Sequence, residues 1–293
     1  MSSKDDSKDA MMDETKHTLA EALRRPRYEV IPLQGVEEAV VEHVPKDVKL
    51  TVTASPKKGM ETTLEFAEGL SKQGYQVVPH LSARLVVDEA HLKDILERLH
   101  ECGIREVFVV AGDPDEPAGE FEGADELLPV MAEIGHELEE VGITGYPESH
   151  PTISDDVTIQ SMWDKRRYAT YIVSQICFDP KVTADWVRRV RRRGVELPIY
   201  VGMPGSVSRQ KLMRISASIG IGESARFLKK QSSWLLRMML PGGYSPDRLI
   251  KDLAPSLADP QNKVRGFHIY TFNEVEKTEA WRREKLDRIE AEE

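Results

Sequence analysis

From about residue 27 onward the chain alternates between two hydrophobic rhythms. One is a short run of β-branched and aromatic residues, as in Tyr75-Gln-Val-Val-Pro-His80, Ile104-Arg-Glu-Val-Phe-Val-Val110 and Val195-Glu-Leu-Pro-Ile-Tyr-Val-Gly-Met203. Runs of this kind predict buried parallel strands. The other rhythm is helical: Leu92, Ile95, Leu96 and Leu99 fall at i, i+3, i+4 and i+7. Met60, Leu64 and Ala67, and likewise Leu127, Met131 and Ile134, fall at i, i+4 and i+7. Each series predicts a helix with one apolar stripe laid against a sheet. Gly74, Gly103, Gly142 and Gly194 each precede a strand run, where a left-handed glycine is expected to end a helix.

The first strand is expected over residues 27–32, the second over 48–53, the sixth over 171–177 and the eighth over 266–272. Strand ends fall near Glu29, Thr53, His80, Asp113, Tyr146, Gln175, Met203 and Tyr270. The first seven are evenly spaced, close to one strand-helix unit each. Eight such units predict a (β/α)8 TIM barrel, an α/β fold, rather than an open sheet. The interval from Met203 to Tyr270 is more than twice any other, so extra helices are expected between strands seven and eight, over 216–240 and 246–257. No GxGxxG follows the first strand, which argues against a Rossmann domain. Residues 1–26 are expected to form a tail and a short helix, partly disordered, and residues 27–293 a single barrel domain.

Composition narrows the partners. The net charge of -10 is a poor match for nucleic acid or an anionic membrane surface. No apolar run approaches the ~18 residues of a membrane span, and the charged N-terminus has no signal-peptide core, so a cytoplasmic location is expected. Cys102 and Cys177 lack metal-site spacing and read as small buried hydrophobes. The run from Arg188 to Arg193 reads as a solvated helix end, where cations favour the dipole. The four tryptophans read as packing residues.

In a barrel the chemistry lies at the C-terminal ends of the strands. Glu29 is a carboxylate inside an apolar strand, Tyr28-Glu-Val-Ile-Pro32. Burial would raise its pKa and suit it to general acid work; an ion pair with Arg27 or Arg84 is the alternative. His80, Asp113, His150 and Gln175 converge on the same mouth. They could hold a metal in principle, but the His-x-His of barrel metal hydrolases is missing from strand one, so no metal is expected.

At these strand ends the sequence resembles the methylenetetrahydrofolate reductase family. Tyr28-Glu-Val-Ile-Pro32 matches its F-E-F-F-P, Val78-Pro-His-Leu-Ser82 its A-P-H-L-T, and Gly112-Asp-Pro114 part of its R-G-D-x-P. Gly145-Tyr-Pro-Glu-Ser-His-Pro151 is similar to A-Y-P-E-x-H-P, Ser174-Gln-Ile-Cys-Phe-Asp179 to T-Q-x-F-F-D, and Phe267-His-Ile-Tyr-Thr271 to F-H-F-Y-T. The matches run in order along nearly the whole barrel.

The resemblance implies reduction of 5,10-methylenetetrahydrofolate to 5-methyltetrahydrofolate with NADH or NADPH, usually through FAD. It implies Glu29 as the acid that protonates N10, Asp113 over the pterin, and Gln175, Phe178 and Tyr270 against the folate. Thr53, His80, Tyr146, His150 and Lys165 would lie on the cofactor side. Three positions depart from the family. Ala111 replaces the arginine before Gly-Asp, Thr53-Ala-Ser-Pro56 replaces T-Y-G-A, and Asp164-Lys-Arg-Arg-Tyr-Ala169 stands where K-x-D-A-G-A would. Folate-side residues persist and flavin-side residues are replaced, the pattern of a member that binds flavin weakly or dispenses with it. The same chemistry run oxidatively in methyl-group catabolism, a non-catalytic folate-binding barrel and a metal-dependent hydrolase are the rival readings.

Overall fold

The computed structural model describes residues 2–54, 59–148, 153–208 and 246–292, with side chains from residue 13 onward. Eight parallel strands close in chain order into a barrel. They are β1 (Arg27–Val30), β2 (Lys49–Val52), β3 (Val77–Ser82), β4 (Glu106–Val110), β5 (Glu140–Gly145), β6 (Tyr171–Ser174), β7 (Ile199–Pro204) and β8 (Val264–Tyr270). Between them run α2 (Val36–His43), α3 (Gly59–Lys72), α4 (Glu89–Glu101), α5 (Ala124–Ile134), α6 (Asp155–Lys165), α7 (Pro180–Arg192) and α8 (Pro246–Ala258), and α9 (Val275–Glu290) follows β8. The expected (β/α)8 barrel is the observed one. Helix α8 occupies the second interval expected between strands seven and eight; the first, 216–240, lies outside the described residues.

The strands hold because they are buried on both faces: β3 and β7 are buried throughout. The predicted helical stripes face them. Leu92, Ile95, Leu96 and Leu99 of α4 are all buried, as are Met60, Leu64 and Ala67 of α3. Asp88 caps α4 by accepting from His91 N, and Asp179 caps α7 just ahead of Pro180. Gly74, Gly103 and Gly194 take positive φ between helix and strand as expected. Gly142 does not: it lies inside β5, and Gly135 is the residue of positive φ after α5. Gly142 is needed for space instead, since a Cβ there would overlap the Tyr171 ring.

Strand alternation sends Tyr28 outward and Arg27 and Glu29 inward. Tyr28 donates to Glu279 of α9 at 2.9 Å. Arg282, on the same helix, binds Glu279 and donates to Leu23 O at 2.9 Å. These bonds tie the barrel to α1 (Ser2–Arg24), which is longer than the short helix expected there and buries Leu19, Ala20, Ala22 and Leu23.

At the N-terminal end of the barrel Arg27 is buried between two rings, its guanidinium 4.3 Å from the centre of Tyr171 and 3.9 Å from that of Tyr200. It pairs with Glu106, and with Glu140 at 3.4 Å; Lys49 pairs with the same two carboxylates. Burial alone would lower its pKa, but Tyr171, Glu106 and Tyr200 more than offset this and keep it a cation. Among the described residues Glu29 therefore has no arginine partner, since Arg27 is spent on this plug and Arg84 binds Glu122.

The arginines ending α7 meet acidic residues: Arg189 pairs with Asp155 at 3.3 Å and Arg193 with Asp156. Trp186 is buried, whereas Trp163 and Trp281 are only partly so. Cys177 is buried as expected, but Cys102, at the end of α4, is half-buried.

Candidate active site

Glu29 stands at the centre of the C-terminal mouth. It is opposite Thr51 of β2 on one side and Tyr270 of β8 on the other. Two histidines face its carboxylate. His268 Nε2 is 3.0 Å from Glu29 Oε2, and His80 Nε2 is 3.8 Å from the same oxygen. Burial raises the Glu29 pKa from 4.5 to about 7, with His80 opposing. Burial drives both histidines the other way, His80 down to about 4 and His268 to about 3, so both are neutral at physiological pH. A carboxyl group that titrates near neutrality beside two neutral imidazoles can deliver and recover a proton.

The backbone around Glu29 is fixed from β8. Thr271 donates to Glu29 O at 2.6 Å. Asn273 receives Ile31 N at 2.8 Å and donates to Ile31 O at 3.0 Å. Asn273 adopts φ 62, a conformation that asparagine tolerates better than most residues. These contacts lock the seam where the last strand closes onto the first.

The other expected residues lie at the same end, mostly on loops rather than in strands. Strand β4 ends at Val110, β5 at Gly145 and β6 at Ser174, so Asp113, Tyr146 and Gln175 follow their strands. Asp113 and Gln175 are exposed and Tyr146, Tyr270, Phe178 and Thr53 are half-buried. Burial raises the pKa of Tyr146, and the field of Asp113 adds to it; Glu29 and Tyr146 act on Tyr270 in the same way. Gln175 N donates to Gly145 O at 2.7 Å, and its side-chain Oε1 accepts from Ile176 N at 2.9 Å. Tyr270 donates to Ser174 O at 3.2 Å, which spans the mouth from β8 to β6. Thr53 N donates to Val30 O at 3.0 Å, beside Glu29. His150 lies outside the described residues.

Lys165 ends α6, where burial lowers its pKa against the fields of Asp125 and Asp164. Its neighbours are engaged locally. The Arg166 guanidinium lies 3.6 Å from the Trp163 ring centre and donates to Trp163 O at 2.6 Å, and Arg167 lies over Tyr168.

Two residues of the mouth take roles that the sequence did not indicate. His268 sits two residues before Tyr270 on the same strand, and that spacing was the available signal for its facing the barrel interior. Arg84 is the other. It donates to Pro114 O at 2.8 Å and to Glu122 O at 2.9 Å, so a residue of the turn after β3 secures the Asp113 loop. Gly112 lets that loop approach: its φ is +99, and an added Cβ would overlap Ser82 Oγ. Gly112→Ala is therefore expected to destabilise the protein by about 1–3 kcal/mol. Chemical denaturation would measure this, and a variant as stable as the wild type would show that the loop has another low-energy path.

Among the described residues no group of three or more His, Cys, Asp or Glu is arranged to hold a metal ion. Nor is any described helix long and apolar enough to cross a membrane.

A closed eight-stranded barrel with a largely buried, near-neutral carboxyl group at the C-terminal ends of its strands defines a (β/α)8-barrel enzyme framework. The family model described as methylenetetrahydrofolate reductase matches residues 33–225, well over half of the chain. The chain belongs to the methylenetetrahydrofolate reductase family, a family of oxidoreductases. It is 24% identical over 208 residues to methylenetetrahydrofolate reductase 2 of Saccharomyces cerevisiae, covering 62% of this chain and 32% of that one. It is 32% identical over 116 residues to methylenetetrahydrofolate reductase 1 of Schizosaccharomyces pombe, covering 37% and 19%. To methylenetetrahydrofolate reductase 2 of the same yeast it is 23% identical over 206 residues, covering 64% and 32%. These matches span no more than about a third of the relatives' length.

Proposed function

We propose that the chain reduces 5,10-methylenetetrahydrofolate to 5-methyltetrahydrofolate, with NADH or NADPH as the hydride donor. The observation that carries this reading is Glu29, a largely buried carboxyl group at the barrel mouth with a pKa of about 7. Opening the five-membered ring of the substrate requires a proton on N10. Glu29 supplies it, the bond from N10 to the methylene carbon breaks with its electron pair passing to N10, and N5 becomes an iminium. The resulting carboxylate favours that positive charge. Hydride from the nicotinamide then adds to the methylene carbon, and a solvent proton restores Glu29. Asp113 and Gln175 hold the pterin, Tyr270 and Phe178 bound its edge, and Thr53, His80 and Tyr146 face the nicotinamide side.

Flavin has no step in this proposal. A flavin pyrophosphate needs cationic or backbone N–H partners. Of the candidates in the sequence, Ala111 carries no charge, Arg166 is stacked on Trp163, Arg167 lies over Tyr168, and burial lowers the pKa of Lys165. These features argue against a dedicated flavin site among the described residues. Mixing the protein with NADH and methylenetetrahydrofolate in the absence of flavin is expected to oxidise NADH. Oxidation that appears only after FAD is added would overturn direct transfer while leaving the folate chemistry standing. Gln175→Ala is expected to weaken tetrahydrofolate binding by about 1–3 kcal/mol, because it leaves pterin polar groups unpaired. Calorimetric titration showing unchanged affinity would remove Gln175 from the substrate site.

A further inference from the structure

We infer that His268 is a positioning residue that holds Glu29 Oε2 with a neutral N–H and so leaves Oε1 as the oxygen that carries the transferred proton. The inference rests on the proposed role of Glu29 as an acid. Its basis is geometric. His268 is fully buried on β8 and its Nε2 lies 3.0 Å from Glu29 Oε2, while its Nδ1 has no hydrogen-bond partner among the described residues.

That asymmetry selects a tautomer. An ionised carboxylate only accepts hydrogen bonds, so contact with it requires the proton on Nε2. The opposite tautomer would aim a lone pair at the carboxylate and bury an N–H on Nδ1 without an acceptor, a costly arrangement. With Nε2–H donating to Oε2 in the charged form, the same contact persists when Glu29 takes up its proton on Oε1. A reloaded proton therefore returns to the same oxygen on each turnover.

Among the described residues the charged and titratable groups facing Glu29 are few. His80 approaches from β3 at 3.8 Å, and His268 and Tyr270 approach from β8. Thr51, its neighbour on β2, is uncharged. Arg27, below on β1, acts on His268, and with burial it opposes protonation of that ring. His268 is therefore a neutral donor throughout the range in which Glu29 titrates.

Two substitutions separate this role from simple packing. Glutamine places a side-chain N–H where Nε2 stands, whereas asparagine places one where Nδ1 stands and cannot reach Oε2. The readout is the titration of the Glu29 carboxyl carbon, followed by 13C NMR on the ligand-free protein and assigned by its loss in Glu29→Gln. In His268→Asn the midpoint should rise by roughly one pH unit, because the charged form has lost a donor. In His268→Gln it should stay near the wild-type value. The pH at which turnover of methylenetetrahydrofolate falls should move up by the same roughly one unit in His268→Asn and stay near the wild-type value in His268→Gln. Equal midpoints in the asparagine variant and the wild type would overturn the assignment, as would equal behaviour of the two variants. The carboxyl titration needs no substrate. A wild-type protein without reductase activity would thus refute the proposed function, while the titration would still decide whether His268 donates to Glu29.

Discussion

Glu29→Gln is expected to lower turnover by roughly 10²-fold or more, the usual scale for a positioned general acid. Folding should survive, and above neutral pH the variant should be at least as stable as the wild type. Both effects come from burial, which raises the Glu29 pKa from 4.5 to about 7 in the folded protein. Because the folded-state pKa is the higher one, the folded protein binds the proton more tightly than the unfolded chain does. The stability this contributes is fully present below about pH 4.5 and is lost as pH rises through about 7. Above that range the wild type carries a buried anion, at a cost of at most about 3 kcal/mol, and glutamine does not. Wild-type activity should likewise fall as pH rises through about 7, as the acid loses its proton. Melting curves at pH 6 and pH 8, with a pH profile of turnover, test both halves. Near wild-type turnover in Glu29→Gln would remove Glu29 from the chemistry.

Arg27→Leu is expected to cost about 3–5 kcal/mol of stability, with turnover per folded molecule nearly unchanged. Arg27 fills the barrel's N-terminal end, stacked between Tyr171 and Tyr200 and paired with Glu106 and Glu140. Without it Lys49 is the one cation left to the buried Glu106 carboxylate among the described residues, and the two rings lose the cation between them. The cost arises from the partner left behind, so it should be largely relieved in the double variant Arg27→Leu/Glu106→Leu, which removes both buried charges. Urea unfolding of the wild type, both single variants and the double variant gives the coupling directly. A loss below about 1 kcal/mol in Arg27→Leu would mean that the plug is dispensable.

Much of this architecture was legible along the chain because it follows from local periodicity. The stripe at Leu92, Ile95, Leu96 and Leu99 had one physically sensible use, and it is buried as predicted. The βα rhythm gave the barrel, and the glycines at 74, 103 and 194 took the left-handed conformation expected between helix and strand. Gly142 was misread because a glycine before an apolar run looks the same whether it ends a helix or makes room for a ring; only the packing of Tyr171 distinguishes the two.

The candidate site divides along the same line. Glu29 stood out in the sequence because a carboxylate inside an apolar strand demands a reason. Whether that reason was an ion pair or a free acid depended on where Arg27 and Arg84 went. Strand alternation puts Arg27 and Glu29 on the same inner face, yet at opposite ends of the barrel. The sequence by itself determined the order of strands, the helix stripes and the carboxylate near the end of β1, since each is a matter of residue type at fixed local spacing. Tertiary structure alone decided that Arg27 would be consumed by Glu106 and Glu140, that His268 would meet Glu29 at 3.0 Å, and that Arg84 would secure the Asp113 loop. Each of these contacts joins residues far apart in the chain, and their proximity exists only once β8 has closed onto β1 and the loops of β3 and β4 have been drawn together.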